Sequence, residues 1–143
     1  MGRSRGGLTT KIHATVNENG LPLAVHLTPG QTHDIKAVRP LLSSLQPGQT
    51  IIADKAYDAR WVRQLIWEQG ARDVIPSKSN RICPHPFDKT VYKSRNLVER
   101  FFQRLKQCFR RIATRYDKHA PNYLAFIKLA AVRLWCRFYE STA

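Results

Sequence analysis

The sequence predicts an α/β fold with a mixed sheet flanked by helices. Three observations predict it. An alternating apolar stretch split by an Asn-Gly turn comes early, short apolar runs then interleave with helical spacing, and two long amphipathic segments close the chain. At 143 residues the chain has room for one ordinary domain with a real core.

Residues 1–7, "MGRSRGG", form a flexible basic lead-in. In "KIHATVNENGLPLAVHLTPG" apolar residues alternate at Ile12, Ala14 and Val16, then at Leu21, Leu23, Val25 and Leu27. Asn19-Gly20 between them suits a tight turn that needs positive φ, so the segment is a β-hairpin. Ile35, Val38, Leu41, Leu42 and Leu45 follow at helical spacing, with Thr32 or Asp34 as N-cap. "TIIAD" is a short buried strand that stops at Asp54. A helix over 59–69 ends at Gly70, and "RDVIP" is another short strand. Residues 77–90, "SKSNRICPHPFDKT", have prolines and no periodicity and form a loop before the Glu-bearing helix. That helix spans about 94–115, and a last one spans about 121–138 with Pro121 suited to its first turn.

Composition narrows the function. Lys and Arg number 24 against 10 Asp and Glu, a net charge of +14 at pH 7. A folded, strongly basic domain points to a polyanion, because neutralising phosphates releases counterions. That charge fits DNA, ribosomal RNA and anionic lipid alike. No run approaches the roughly 20 apolar residues of a membrane helix, and no secretory signal opens the chain. The expectation is a soluble, cytoplasmic protein with no membrane association. Cys83, Cys108 and Cys136 lie far apart without a CxxC pair, so they read as reduced, half-buried thiols. No P-loop, GxSxG or HExxH motif occurs, so nucleotide hydrolysis, serine hydrolysis and zinc proteolysis have no support in the sequence.

Two carboxylates carry the candidate chemistry. Asp54 stands where an apolar strand meets a loop, and ligand sites of open α/β sheets gather at the carboxyl ends of strands. Pairing with Lys55 or capping the next turn is the plain alternative. Glu99 lies among five cations in "YKSRNLVERFFQRLK". Arg95 precedes it by four residues and Lys106 follows it by seven, so one stripe of the long helix carries all three. Val98, Phe101 or Phe102, Leu105, Phe109 and Ile112 form the adjacent core-facing stripe. Taken alone, Arg95 and Glu99 make a surface ion pair worth a few tenths of a kcal/mol. The alternative is a metal-ligating carboxylate beside cations that reach for phosphates.

"YKSRNLVERFFQRLK" places Tyr92, Arg95, Glu99 and Lys106 in the spacing YxxRxxxExxxxxxK. This resembles the signature around the final acid of DDE-type insertion-sequence transposases, especially the insertion-sequence-five-like branch. "IIADKAYDA" resembles the second-acid motif of the same family, and "GRSRGGLTTKIHATVNENGLPLAVHLTPGQTHD" resembles the segment after its first acid. The resemblance implies a ribonuclease H-like mixed sheet flanked by helices, acting in DNA transposition through metal-dependent DNA strand cleavage and strand transfer. It implies Asp54 and Glu99 as catalytic ligands of Mg2+, with Mn2+ as a substitute, and Tyr92, Arg95 and Lys106 as contacts to DNA phosphates. Hard cations prefer oxygen ligands, and a metal pair stabilises both attacking and leaving oxygens.

The family's first acid lies on the central first strand, upstream of "GRSRGG", and the chain has no counterpart to it. Asp34 follows the hairpin and does not stand in by position. The expectation is therefore a C-terminal part of a transposase catalytic domain, lacking its central strand. It would be completed by an upstream half through frameshift fusion, or else be a decayed remnant. Transposon ends and target DNA are the expected partners, with a homodimer as the active complex. Alone, such a chain should be unstable or oligomeric and inactive as a nuclease. The rivals are a non-catalytic DNA-binding regulator of transposition and a generic basic RNA-associated protein.

Other residues read more plainly. His13 and His26 sit out of phase with the apolar residues, on the less buried hairpin face. Lys11 shares their parity and reads as a solvated lysine or one turned toward the active-site face. His33-Asp34 reads as a polar helix start, with a metal or proton role as the alternative. The run Arg100, Arg104, Arg110, Arg111, Arg115 and Lys118 either is solvated or tracks a DNA backbone. Trp61, Trp67 and Trp135 read as helix packing residues rather than stacking platforms.

Overall fold

A computed structural model describes residues 2–4, 7–110, 112 and 119–143. In chain order its elements are β1 (Gly2–Ser4), β2 (Gly7–Val16), β3 (Pro22–Pro29), α1 (Val38–Leu41), β4 (Thr50–Ile52), α2 (Arg60–Glu68), β5 (Arg72–Val74), α3 (Lys89–Tyr92), α4 (Asn96–Cys108) and α5 (Ala120–Thr142). Short 3-10 turns at Asp34–Ala37, Lys55–Tyr57 and Lys93–Arg95 precede α1, α2 and α4. The fold is mixed α/β. The chain divides into two compact units, His33–Asn96 forming one and the segments before and after it the other.

The flanking segments build an antiparallel sheet in the order β1-β2-β3. Ile12 faces Leu27 and Ala14 faces Val25 across β2 and β3, so the alternating residues share one apolar face. The turn is fixed by Asn17, whose Oδ1 accepts from the amides of Asn19 at 3.0 Å and Leu21 at 2.9 Å. Gly20 completes it at φ 69°, a conformation that costs a side-chain-bearing residue. Phe101, Leu105 and Ile112 pack with Tyr123, Ile127, Ala130 and Leu134 of α5 around Leu21. Two long-range bonds tie this core: Tyr123 Oη donates to the Ile112 carbonyl, and Trp135 Nε1 donates to the Pro22 carbonyl, each at 2.9 Å. Of the core-facing stripe expected on the Glu-bearing helix, α4 buries Phe101 and Leu105, with Phe102 only partly buried, while Ile112 and the partly buried Phe109 join the core from beyond its end.

The unit His33–Asn96 pairs β4 with β5 in parallel, Thr50 opposite Arg72 and Ile52 opposite Val74. Parallel strands need a crossover, which α2 supplies. Val62 and Ile66 of α2 pack with Val38, Leu42, Ala71 and Ile75.

Several expectations need correction. The single mixed sheet is two sheets, one antiparallel and one parallel, because no strand among the described residues bridges β1-β2-β3 to β4-β5. Residues 2–4 pair with β2, so the basic lead-in carries a strand. The helix expected from Ile35 to Leu45 shrinks to a 3-10 turn and α1, since Pro40 has no amide to extend the bonding. Its N-cap is His33, without a side-chain bond, and not Thr32 or Asp34. The loop of residues 77–90 gives way to α3 at Lys89, where Asp88 caps by accepting from the Thr90 and Val91 amides. The single helix expected over 94–115 is a succession of α3, the Lys93–Arg95 turn and α4. Its expected end lies outside the described residues, as do Arg111, Arg115 and Lys118. All three cysteines are exposed rather than half-buried. Trp61 and Trp67 are 39% and 53% exposed, so neither is a core residue. His13 is the reverse case: it is buried, and its Nε2 pairs with Thr28 Oγ1 at 2.7 Å.

Candidate active site

Asp54 follows β4 by two residues and caps the 3-10 turn Lys55–Tyr57, Oδ1 accepting from the Ala56 amide at 2.9 Å. This is the capping reading of Asp54, and it leaves Oδ2 as the oxygen for another partner. The carboxylate is half-buried at the carboxyl end of a parallel strand. The turn that Asp54 caps packs against the turn Asp34–Ala37. Tyr57 lies in this corner, its phenol pushed up to about 12 by burial first and then by the negative charges of Asp34 and Asp54. It therefore stays protonated across neutral pH, a neutral wall beside two acids.

The segment from Tyr92 to Lys106 crosses three elements. Tyr92 ends α3, Arg95 ends the Lys93–Arg95 turn, Glu99 lies in the first turn of α4 and Lys106 in its last. The backbone stays right-handed through Tyr92, Lys93 and Asn96, so the winding tightens without reversing. Tyr92 is held edge-on to Phe87, ring centroids 5.4 Å apart. Tyr92 and Arg95 are half-buried, while Glu99 and Lys106 are exposed.

The structure thus groups Asp34, Asp54, Tyr57, Tyr92 and Arg95 in the unit His33–Asn96, and Glu99 and Lys106 in the other. Among the described residues no group of three or more His, Cys, Asp or Glu side chains gathers to hold a metal ion. Lys11 donates to the Thr32 carbonyl at 2.9 Å, which anchors the end of the hairpin segment. Arg100 and Arg110 are exposed, and Arg104 is half-buried beside the Gly20 turn.

Four residues past Asp54, Asp58 anchors a buried ion network that the sequence analysis missed. Arg63 on α2 donates through Nη2 to Asp58 Oδ1 at 2.9 Å and to the Ile75 carbonyl at 2.8 Å, and through Nη1 to Asp73 Oδ2. Asp58 Oδ2 accepts from the Lys78 amide at 2.8 Å and meets Arg81 Nε at 3.1 Å. Burial alone would raise the Asp58 carboxyl. The Lys78 amide, Arg63 and Arg81 outweigh it and hold the carboxyl below the ordinary aspartate value. One signal could have revealed the pair: Arg63 sits beside Val62 and one turn before Ile66, on the face of α2 that the apolar residues bury. An arginine on such a face is normally paired.

A family of proteins described as the Transposase DDE domain matches residues 2–135. A candidate transposase for insertion sequence element IS6501 from Brucella ovis is 38% identical over 131 residues, covering 91% of this chain and all of the relative. The transposase for insertion sequence element IS1106 from Neisseria meningitidis serogroup B is 33% identical, covering 85% of this chain and 41% of the relative. A candidate transposase for insertion sequence element IS402 from Burkholderia cepacia is 30% identical, with 89% and 62% covered. The chain therefore spans all of the first relative and less than two thirds of the other two. No solved structure matches the chain.

Proposed function

The chain belongs to the DDE family of insertion-sequence transposases, and from that premise we propose that it acts in metal-dependent DNA strand cleavage and strand transfer. In this reading the fold is ribonuclease H-like and of the insertion-sequence-five-like branch. Asp54 and Glu99 are two of three carboxylate ligands for Mg2+, or for Mn2+ in its place. The observation that carries the proposal is the position of both acids within the matched span: Asp54 just past β4, Glu99 opening α4.

Members of this family use divalent metal ions, and the donors here suit a hard dication in type, both being carboxylate oxygens. They do not make a full set, because a third carboxylate does not join either of them among the described residues. A bound dication would supply charge stabilisation at a phosphoryl oxygen and a more acidic water. This chain's own residues do the rest. Tyr92, Arg95 and Lys106 neutralise and position DNA phosphates, Arg95 through the two-pronged geometry that suits an oxyanion. The protonated Tyr57 keeps a neutral donor beside Asp54. The third acid would come from an upstream transposase half joined by frameshift, two copies would pair on two transposon ends, and the site of action is the cytoplasm.

The incomplete donor set favours one other reading, a DNA-binding regulator that occupies transposon ends without cutting them. Mutation separates the two in a transposase that carries all three acids. Asp54→Asn or Glu99→Gln should abolish cleavage of transposon-end DNA while end binding persists. Parallel loss of binding and cleavage would assign these carboxylates to structure.

A further inference from the structure

An open pocket of about 210 Å3 lies over the buried ion network, lined by Arg60, Arg63, Trp67, Arg81 and His85. We propose that this pocket binds a single unpaired nucleotide of a DNA strand, with Trp67 as the stacking surface for the base and Arg60 and Arg81 as the phosphate contacts. The inference rests on the transposase reading for its ligand, DNA, and adds a contact site apart from Asp54 and Glu99.

The floor is neutralised and rigid. Arg63 is 2% exposed, and its charge is met by Asp58 and Asp73, so it shapes the pocket rather than recruiting an anion. The wall is an indole held in place from behind: Trp67 Nε1 donates to Asp73 Oδ1 at 2.6 Å, while 53% of the residue stays open to solvent. His85 stands edge-on to that ring, centroids 6.4 Å apart at 74°. The loop carrying Arg81 and His85 is tied down at three points, by Lys78 N–H to Asp58, by Arg81 N–H to the Lys78 carbonyl and by His85 N–H to Ser77 Oγ. A large aromatic left half-exposed, fixed in orientation and ringed by guanidinium groups is unlike a packing residue.

The chemistry of this lining selects its ligand. Arg60 is exposed, and Arg81 keeps 24% of its side chain open while pairing with Asp58, so both can reach a phosphate. Bases in a duplex are stacked on one another and offer no face to an indole, whereas an unpaired base does, whatever its sequence. The volume falls below that of sites for drug-sized ligands and suits one base with its phosphate outside.

The test uses the full chain and two fluorescein-labelled probes, an oligothymidylate of about 12 nucleotides and a duplex of the same length, with affinity read by anisotropy. Trp67→Ala should weaken oligothymidylate binding by roughly tenfold and leave duplex binding within about twofold. Trp67→Phe, which keeps a ring but gives up the bond to Asp73, should stay near the native affinity for the single strand. The inference is overturned if Trp67→Ala leaves oligothymidylate affinity unchanged or weakens both probes equally. It is also overturned if Trp67→Phe loses as much as Trp67→Ala. Duplex binding that survives such a result leaves the transposase reading standing, whereas a native chain that binds neither probe sinks both.

Discussion

Arg63 Nη2 lies 2.9 Å from Asp58 Oδ1, and the two side chains are only 3% and 1% exposed. This pair ties the second-acid stretch to its scaffold: Asp58 belongs to the same short stretch as Asp54, and Arg63 reaches from α2 to Ile75 just past β5. Removing either partner strands a buried charge, which costs about 3–5 kcal/mol. Arg63→Met should therefore lower stability toward urea by that amount, whereas Arg60→Met, at an exposed position on the same helix, should cost under about 0.5 kcal/mol.

The network also sets an acid limit. Because the folded Asp58 carboxyl titrates below its unfolded value, the unfolded chain binds the proton more tightly. The stability Asp58 contributes is present above the ordinary aspartate range near 3.8 and is lost as pH falls through the lower, folded value. A series of urea midpoints should fall steeply on the acid side. Asp58→Asn should be less stable than the native chain at neutral pH, with the difference narrowing as the pH drops.

The core of the other unit gives an independent test. Phe101 is fully buried between the sheet and α5, so Phe101→Ala should destabilise by about 3–5 kcal/mol. Phe102→Ala, its half-buried neighbour, should cost clearly less. Equal losses would mean that the buried stripe of α4 is misassigned by one residue.

Gly20 tests the hairpin turn. Its φ of 69° penalises any side chain, and a Cβ there would come within 2.7 Å of Arg104 Nη2. The guanidinium is the far end of a flexible side chain and can move aside, so the backbone term dominates. Gly20→Ala should cost about 1–2 kcal/mol, measured by thermal unfolding, and Gly20→Asn less.

The legible parts of this chain are those governed by local rules. The hairpin follows from period-2 alternation and Asn19-Gly20, and β4, α2, β5 and α5 follow from apolar spacing and their flanking stops. What escaped depends on partners distant in sequence. Nothing near His13 announces that Thr28 will meet it, and the parity argument that put it on the exposed face counted only apolar neighbours. Trp67 follows the buried Ile66 on α2 and reads as packing, yet it is 53% exposed with its Nε1 bonded to Asp73. The break at Lys93–Arg95 left no proline or glycine as a signal. At the candidate site the spacing singles out Tyr92, Arg95, Glu99 and Lys106 as candidates, while the Asp58–Arg63–Asp73 network is visible only in three dimensions.

The claim that Asp54 and Glu99 ligate one metal centre is tested most directly in a transposase that carries all three acids, by supplying ferrous iron in place of magnesium and letting ascorbate and peroxide cut the backbone beside the bound ion. The transposase reading predicts cuts next to both Asp54 and Glu99, suppressed by excess Mg2+ and absent in Asp54→Asn. Cuts beside only one of the two residues, or cuts that Mg2+ does not suppress, would contradict it.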